Sequence, residues 1–154
     1  MKADHEKFMR RALELAAIAA QRGEVPIGAL VVRDGMIVSE AANLREASGI
    51  STHHAEIIAI EEACRKLGKW RLSDCDLYVS LEPCTMCAGA IVLSRFANVI
   101  FGAMDPKAGA CGSLYNVLAD DRLNHRPTVV SGVLADECGA ILSDFFRARR
   151  NASK

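Results

Sequence analysis

The sequence has no excess of charge of either sign, no long apolar run and no internal repeat. Its 19 Lys and Arg residues balance 19 Asp and Glu residues, which excludes the uniformly basic surface expected of many nucleic-acid-binding proteins. No apolar stretch approaches the roughly 18 residues that indicate a membrane-spanning helix. Without repeats, low-complexity tracts or linkers, the 154 residues predict a single domain over residues 1–154.

The N-terminal segment also lacks the pattern of a signal peptide. Its apolar stretch, residues 12–20, is interrupted by Glu14, and acidic side chains are mixed with basic ones before it. A signal peptide has a cationic start and an unbroken apolar run. We therefore expect a cytoplasmic protein with no membrane partner, in which the six cysteines are reduced thiols, metal ligands or catalytic groups.

The composition that is present, 51% hydrophobic and 25% charged residues, is typical of a compact soluble domain. Apolar periodicity predicts an amphipathic helix over 4–22, then a hairpin whose strands, 27–32 and 36–40, are joined by a turn at Asp34 and Gly35. A second helix is predicted to be capped by Ser51 or Thr52 and to end at Gly68. Further strands are predicted over 77–81, 99–103 and 128–133, and further helices over 84–95, 113–119 and 136–150. One hairpin followed by this alternation predicts an α/β protein, a mixed sheet with helices on both faces.

Two short clusters at predicted helix starts have the residue types of metal chemistry: His54-Ala55-Glu56 and Pro83-Cys84-Thr85-Met86-Cys87. Cys84 and Cys87 are three residues apart, so they are predicted to project from one face of a helix whose N-terminus favours thiolates. Two thiolates and one imidazole leave the fourth position of tetrahedral Zn²⁺ open, as in a catalytic site. Glu56 diverges from His54 by about 200° on a helix, so we expect it to move protons of the metal-bound water rather than to ligate the metal.

Each cluster alone allows other interpretations. A lone Cys-x-x-Cys is also typical of a redox pair or of half a structural zinc site, and a lone histidine near a helix start is usually a cap or a surface residue. His53 is interpreted as a loop or surface residue, because the spacing to Glu56 selects His54. Joined in the order H-x-E … P-C-x-x-C, the clusters match the zinc deaminase signature.

These motifs resemble the cytidine deaminase superfamily and, within it, the bacterial tRNA-specific adenosine deaminases. The similarity extends over nearly the whole chain and is carried by residues 24–29, 43–45, 81–90, 105–110, 123–126, 132–134 and 145–150. The last three segments resemble the tRNA branch rather than relatives that act on free bases or nucleotides.

The resemblance implies a three-layer α/β/α fold around a central mixed five-stranded sheet, in homodimers with loops of both subunits near each site. It implies one Zn²⁺ per subunit, held by His54, Cys84 and Cys87, and hydrolytic deamination of adenosine to inosine at the wobble position of the tRNA anticodon stem-loop. Zinc-bound hydroxide would attack C6 of adenine while Glu56 shuttles protons. Asn43 and the backbone of Ala55 would hold the base. The further implied RNA contacts are Arg45, Asp105, Lys107, Asn124, His125, Phe146, Arg149 and Arg150.

Some residues keep a second interpretation. Cys64 and Cys138 lie on apolar helix stripes and are predicted to pack in the core, whereas the pattern does not decide the roles of Cys75 and Cys111. Phe145 continues the apolar stripe of the last helix, which leaves Phe146 to stack on RNA, although both rings could instead cover the sheet. The basic end of this helix, with Arg147, Arg149, Arg150 and Lys154, also suits a solvated helix terminus.

Two other functions compete with tRNA deamination: deamination of free guanine or cytosine by the same zinc chemistry, and a structural-zinc interaction module without catalysis. The segment 124–126 and the basic tail favour tRNA. Glu56 favours an enzyme, because a structural site has no need of a proton carrier and usually closes with a fourth protein ligand.

Overall fold

A computed structural model describes residues 2–153, and its helices and strands follow the predicted order. The helices are α1 (Lys2–Gln21), α2 (Arg45–Ser48), α3 (Ala55–Leu67), α4 (Thr85–Ser94) and α5 (Ala135–Ala152), with a 3₁₀ turn at Val117–Ala119. The strands are β1 (Gly28–Arg33), β2 (Met36–Ala42), β3 (Asp76–Leu81), β4 (Asn98–Ala103) and β5 (Thr128–Val130). Among the described helices, none has both the length and the apolar character needed to cross a membrane.

The five strands form one mixed sheet in the order β2-β1-β3-β4-β5. β1 is antiparallel to both of its neighbours, whereas β3, β4 and β5 are parallel to one another. Arg33 pairs with Met36, and the two residues between them, Asp34 and Gly35, have φ angles of 51° and 72°. This is the predicted two-residue hairpin turn, which requires residues that tolerate positive φ.

Helices cover both faces of the sheet, so the predicted three-layer architecture is confirmed. Alternate strand residues point to opposite faces. On one face, Leu30, Tyr78 and Ile100 pack with residues of α1 and with Cys138 of α5. On the other face, strand residues pack with α3 and α4; those strand residues are Ala29, Val31, Leu77, Val79, Val99 and Phe101.

The two cysteines that the pattern left undecided are buried in the second of these layers. Cys75 and Cys111 belong to the core beneath α3 and α4, and Cys64 packs against it while partly exposed. The core positions predicted for Cys64 and Cys138 are confirmed, Cys138 being fully buried.

Several local boundaries differ from the predictions. α3 begins after His54, which is its N-cap residue, so the predicted caps Ser51 and Thr52 are wrong and lie in the preceding turn. Cys84 is the N-cap residue of α4 and not part of the helix. The last helix begins one residue earlier and ends two residues later than predicted, and β5 ends at Val130 rather than at residue 133.

Two loops have structure that local periodicity did not indicate. The one-turn helix α2 was not predicted, and the helix predicted over 113–119 is reduced to the 3₁₀ turn. In both loops the backbone amides bind a carboxylate that is distant in sequence, Glu24 for the first and Glu82 for the second. Such tertiary hydrogen bonds override a weak local preference.

The parallel strands give the sheet two distinct ends. The carboxyl end is where β3 and β4 finish, with Leu81 beside Ala103, and the amino end is where they start, with Asp76 beside Asn98. Six residues of strand separate the ends, which corresponds to about 20 Å.

Candidate metal centre

The three predicted metal ligands meet at the carboxyl end of the sheet. His54 immediately precedes α3, Cys84 immediately precedes α4, and Cys87 lies in the first turn of α4. Their ligand atoms lie within 4.8 Å of one another. His54 Nδ1 is 3.6 Å from Cys84 Sγ and 3.5 Å from Cys87 Sγ. Nitrogen and sulfur ligands of a tetrahedral Zn²⁺ lie about 3.6 Å apart, given bond lengths of about 2.0 and 2.3 Å, so the cluster fits zinc.

The cysteines and the histidine perturb one another's ionisation. A hydrogen bond from Cys87 lowers the pKa of Cys84 to about 4, and the same bond, with burial, raises the pKa of Cys87. Hydrogen bonding to Cys84 also raises the pKa of His54. Cys84 is therefore the first thiolate of the cluster. A bound metal requires two thiolates and a neutral imidazole, so its binding displaces the remaining protons.

Glu56, the second residue of α3, lies outside this ligand set. Its side chain is buried, and burial raises its pKa to about 7. Within residues 3–153, its buried Oε1 atom has no hydrogen-bond partner. A buried carboxylate oxygen without a partner is costly, and a water molecule on the metal would provide the missing donor.

The segment before β1 holds the loop that contains Asn43 and Arg45. The side-chain amide of Asn43 donates to the carbonyl of Val25 at 3.4 Å, and its backbone amide donates to Ile27 at 3.1 Å. The next amide, that of Leu44, donates to the carbonyl of His53 at 3.1 Å. Asn43 is buried, and the residue that follows it is hydrogen-bonded to the residue beside the predicted ligand His54.

Arg45 and Ala55 lie at the two limits of the same loop. Arg45 is exposed at the start of α2, and Ala55 is the fully buried first residue of α3. The first amides of a helix have no partner within it, and the His54 side chain does not cap them. The predicted contact of the Ala55 amide with the base is compatible with this position at the start of α3 but stays a prediction.

The carboxylate of Glu82 organises the loop on the other side of the cluster. It is 2% exposed and accepts hydrogen bonds from the amides of Asp105 at 2.9 Å, Cys111 at 2.9 Å and Ser113 at 3.0 Å, and from the Ser113 hydroxyl. Burial opposes ionisation of Glu82, but these bonds outweigh it and lower its pKa. A Cβ atom at Gly109 would overlap the Glu82 carboxylate, so this loop requires glycine there.

Two predicted RNA contacts lie in the loop that Glu82 binds. Asp105 Oδ1 accepts hydrogen bonds from the amides of Lys107 at 3.0 Å and Ala108 at 3.2 Å, so this carboxylate shapes its own turn. The side chain of Lys107 is exposed. Both residues follow β4 and therefore lie at the carboxyl end, with the predicted metal ligands.

The C-terminal half of α5 reaches the same end. The guanidinium of Arg149 donates to the carbonyl of Gly23 at 3.5 Å, next to the segment that holds Asn43. Phe146 is 40% exposed, whereas Phe145 is partly buried and lies beneath the Arg149 guanidinium, 5.1 Å from it. The prediction that Phe145 is the more buried of the pair is confirmed. Phe146, Arg149 and Arg150 together line a shallow surface cavity.

Asn124 and His125 lie at the amino end of the sheet. The candidate metal ligands of the same chain lie at the opposite, carboxyl end. The Nε2–H of His125 donates to the carbonyl of Phe96 at 2.6 Å, just before β4 begins. Asn124 is exposed in the same loop, which leads into β5, where Thr128 pairs with Asn98. Sequence similarity does not indicate the end of the sheet at which a loop lies, so the RNA contacts of this pair remain predictions.

Glu24 and Glu82 had no predicted role, although both lie in segments that carry the resemblance to the deaminases, residues 24–29 and 81–90. A sequence feature that could have indicated their role is an acidic residue next to a stretch of apolar, buried residues. Glu24 precedes β1, and Glu82 lies between β3 and Pro83. A buried carboxylate requires hydrogen-bond donors, and the identity of those donors is a tertiary property.

Comparisons with known proteins agree with this geometry. Residues 3–150 match the family model of MafB19-like deaminases. The chain is 54% identical over 149 residues to a tRNA-specific adenosine deaminase of Bacillus subtilis, covering 97% of this chain and 92% of that one. A solved structure of a tRNA:A34 deaminase has a TM-score of 0.85 and 44% identity, covering 88% of this chain and 99% of that one. A guanine deaminase of Nitrosomonas europaea has a TM-score of 0.74 and 26% identity, over 91% of this chain and 83% of its own.

Proposed function

The chain belongs to the MafB19-like deaminase family, and we propose that it is a zinc-dependent enzyme that converts adenosine to inosine at the wobble position of tRNA anticodons. The observation that carries this proposal is the His54, Cys84 and Cys87 cluster beside the buried carboxylate of Glu56. Relatives named for tRNA deamination support the choice of substrate. In this proposal residues 1–154 act as one catalytic domain, and a tRNA substrate implies the cytoplasm.

His54, Cys84 and Cys87 would hold one Zn²⁺ per chain. When bound, zinc supplies a water molecule that is activated for attack, with a pKa lowered toward about 7. Three protein ligands leave room for that water, as catalytic zinc sites require. The unpartnered Oε1 of Glu56 supports the same arrangement, since it needs a donor in this position.

Glu56 moves the protons of the reaction. Its carboxylate accepts a proton from the attacking water and delivers it to N1 of adenine. It then transfers the second proton of the water to the amino group, which leaves C6 as ammonia. One C–N bond is replaced by one C–O bond, so adenosine and water give inosine and ammonia.

Residues around the cluster would bind the flipped adenine and its neighbouring nucleotides. The Asn43 side chain and the Ala55 amide contact the base, and Arg45, Asp105 and Lys107 contact the flanking anticodon nucleotides. An anticodon loop suits this site because its bases are unpaired and can be extruded at small cost. Phe146 stacks on a base, and Arg149 and Arg150 contact phosphates.

The enzyme acts as a homodimer in this proposal. The outward side of α4 is apolar, with Met86 and Ala90 partly exposed and Leu93 70% exposed, and a second copy of the chain would cover it. Asn124 and His125 lie at the amino end of their own chain, so the second protomer supplies them to the anticodon.

The likeness to a guanine deaminase favours a second candidate, the deamination of a free base. The exposed Phe146 and the basic end of α5 argue against it, because a free base has no neighbouring nucleotides or phosphates to bind. Truncation after Asp144 should therefore lower activity on tRNA at least about tenfold while the chain retains its zinc. An unchanged rate on tRNA would show that the tail has no role in binding RNA.

The deciding experiment is incubation of the protein with total tRNA, followed by sequencing for inosine and metal analysis of the same sample. We expect inosine at the wobble adenosine, close to one zinc per chain and no ammonia from free guanine. Ammonia from guanine without inosine in tRNA would select the second candidate. Inosine formation by metal-depleted protein would contradict the zinc chemistry.

A further inference from the structure

Glu24 is a buried carboxylate at the carboxyl end for which the proposed reaction provides no role. It is 1% exposed, and none of the ion pairs among residues 3–153 includes it. Its two oxygens accept hydrogen bonds from backbone amides, those of Glu46 at 2.9 Å and Ala47 at 2.7 Å. A buried charge requires such donors, and both come from a loop more than 20 residues further along the chain.

The part of the loop that Glu24 binds, α2, contains no buried residue and no side-chain cap. Both donors lie in α2, a single turn with no buried residues. Its N-cap residue, Leu44, makes no side-chain cap hydrogen bond. The Glu24 carboxylate therefore takes the place of the missing cap and satisfies amides that a short helix leaves open.

The same loop begins at a substrate contact and ends at a metal ligand. Asn43 precedes Leu44, the N-cap residue of α2, and His54 closes the loop, with Leu44 and His53 hydrogen-bonded at 3.1 Å across its base. On the side of Asn43, the partners are the carbonyls of Val25 and Ile27, within three residues of Glu24. Glu24 thus binds the middle of the loop, and the residues after Glu24 bind its start.

From this arrangement we propose that Glu24 is a positioning residue for deamination: by anchoring α2 it fixes the side chain of Asn43 in the orientation that holds the base. The proposal rests on the proposed function, because it requires Asn43 to contact adenine. It assigns Glu24 no contact with substrate or metal. Catalysis is sensitive to small misplacements of such groups, so loosening the loop should slow the chemical step without removing the metal.

The test is a double-mutant cycle with Glu24→Gln and Asn43→Ala, assayed on an anticodon stem-loop RNA with adenosine at the wobble position. Glutamine keeps the size of the side chain, but its NH₂ group meets one of the two backbone N–H donors. We expect Glu24→Gln to lower kcat about tenfold, with KM and zinc content within about twofold of the original values. In the Asn43→Ala background the same change should lower kcat less than about twofold, since coupled residues are not additive.

The control is Glu61→Gln, which removes the charge of an exposed glutamate on α3 and should leave kcat within about twofold. Hydrogen exchange supplies a readout independent of activity: the amides of Glu46 and Ala47 should exchange faster in Glu24→Gln than in Glu61→Gln. Glu24→Asp keeps both oxygens and should restore part of the loss in kcat and in protection, which guards against a Glu24→Gln protein that fails to fold.

The outcomes separate this proposal from the proposed function. An original protein that makes no inosine overturns the proposed function, whatever the exchange data show. With active protein, an equal loss of kcat in both backgrounds overturns the role through Asn43. Unchanged exchange at Glu46 and Ala47 overturns the anchor itself.

Discussion

The two ends of the sheet use acidic side chains in opposite ways. At the carboxyl end, Glu24, Glu56 and Glu82 are at most 4% exposed, and none of them belongs to an ion pair within residues 3–153. At the amino end, Asp74 pairs with Lys69 at 3.0 Å and with Arg33 at 3.7 Å, and all three side chains are substantially exposed.

The two arrangements differ in how firmly they fix the position of the groups that they connect. Exposed ion pairs between long side chains contribute little to stability and define positions loosely. Backbone amides bound to a buried carboxylate have fixed directions, so Glu24 and Glu82 hold their loops in defined positions around the candidate metal ligands. Among residues 3–153, Oε1 of Glu56 has no hydrogen-bond partner, which is costly for folding and, in the proposed function, leaves that atom to handle protons.

Of the predicted changes, Glu56→Gln should have the largest effect on kcat. It therefore gives the clearest test of the difference between buried acidic side chains at the carboxyl end and exposed ones at the amino end. Removing a positioned proton carrier costs about 10²- to 10⁴-fold in rate, so we expect kcat on tRNA to fall about 10³-fold while zinc content stays unchanged. Asp74→Asn at the amino end is the matched control and should keep kcat within about twofold. Turnover that survives in Glu56→Gln would mean that another group carries the protons.

Glu82→Gln, measured beside Asp74→Asn, tests whether acidic side chains at the two ends contribute differently to the free energy of unfolding. The glutamine amide leaves some of the loop amides without an acceptor, so the free energy of unfolding should fall by about 3 kcal/mol. The same measurement on Asp74→Asn should show a loss below about 1 kcal/mol. Denaturant unfolding of both variants provides the two values, and similar losses would remove the distinction between the ends.

The smallest predicted effect is a pH dependence at the amino end. Burial lowers the pKa of His5 from its usual 6.5, although Asp76 and Asp4 oppose this shift, and its Nδ1 is hydrogen-bonded to the Tyr78 hydroxyl at 2.8 Å. Because the folded protein binds this proton less readily than the unfolded chain, stability should decrease as pH falls below about 6.5.

The size of this loss should be a few tenths of a kcal/mol, since His5 is partly exposed. Unfolding measured at pH 7.5 and 5.5 in the original protein and in His5→Gln tests it, and the variant should have the flatter profile. A steeper profile in the variant would contradict the assignment to His5.

Much of the fold follows from local patterns in the sequence. Apolar residues with periods of 3.6 and 2 predict most of the helices and strands and the faces they bury. The hairpin turn is also predicted locally, because Asp34 and Gly35 tolerate the positive φ angles that a two-residue turn requires. The motifs that contain His54, Cys84 and Cys87 are short, and ligand chemistry limits the metals that they suit.

Only the tertiary structure determined which groups share an end of the sheet. Glu24 binds amides 22 and 23 residues away, and Glu82 binds amides 23, 29 and 31 residues away. Asn124 and His125 lie in a motif similar to the tRNA branch, yet the parallel β4 and β5 put their loop at the amino end. Sequence by itself determined most of the elements and the candidate metal ligands, because those depend on neighbouring residues. The tertiary structure decided which loops are anchored at the site, because that depends on the directions in which distant strands run.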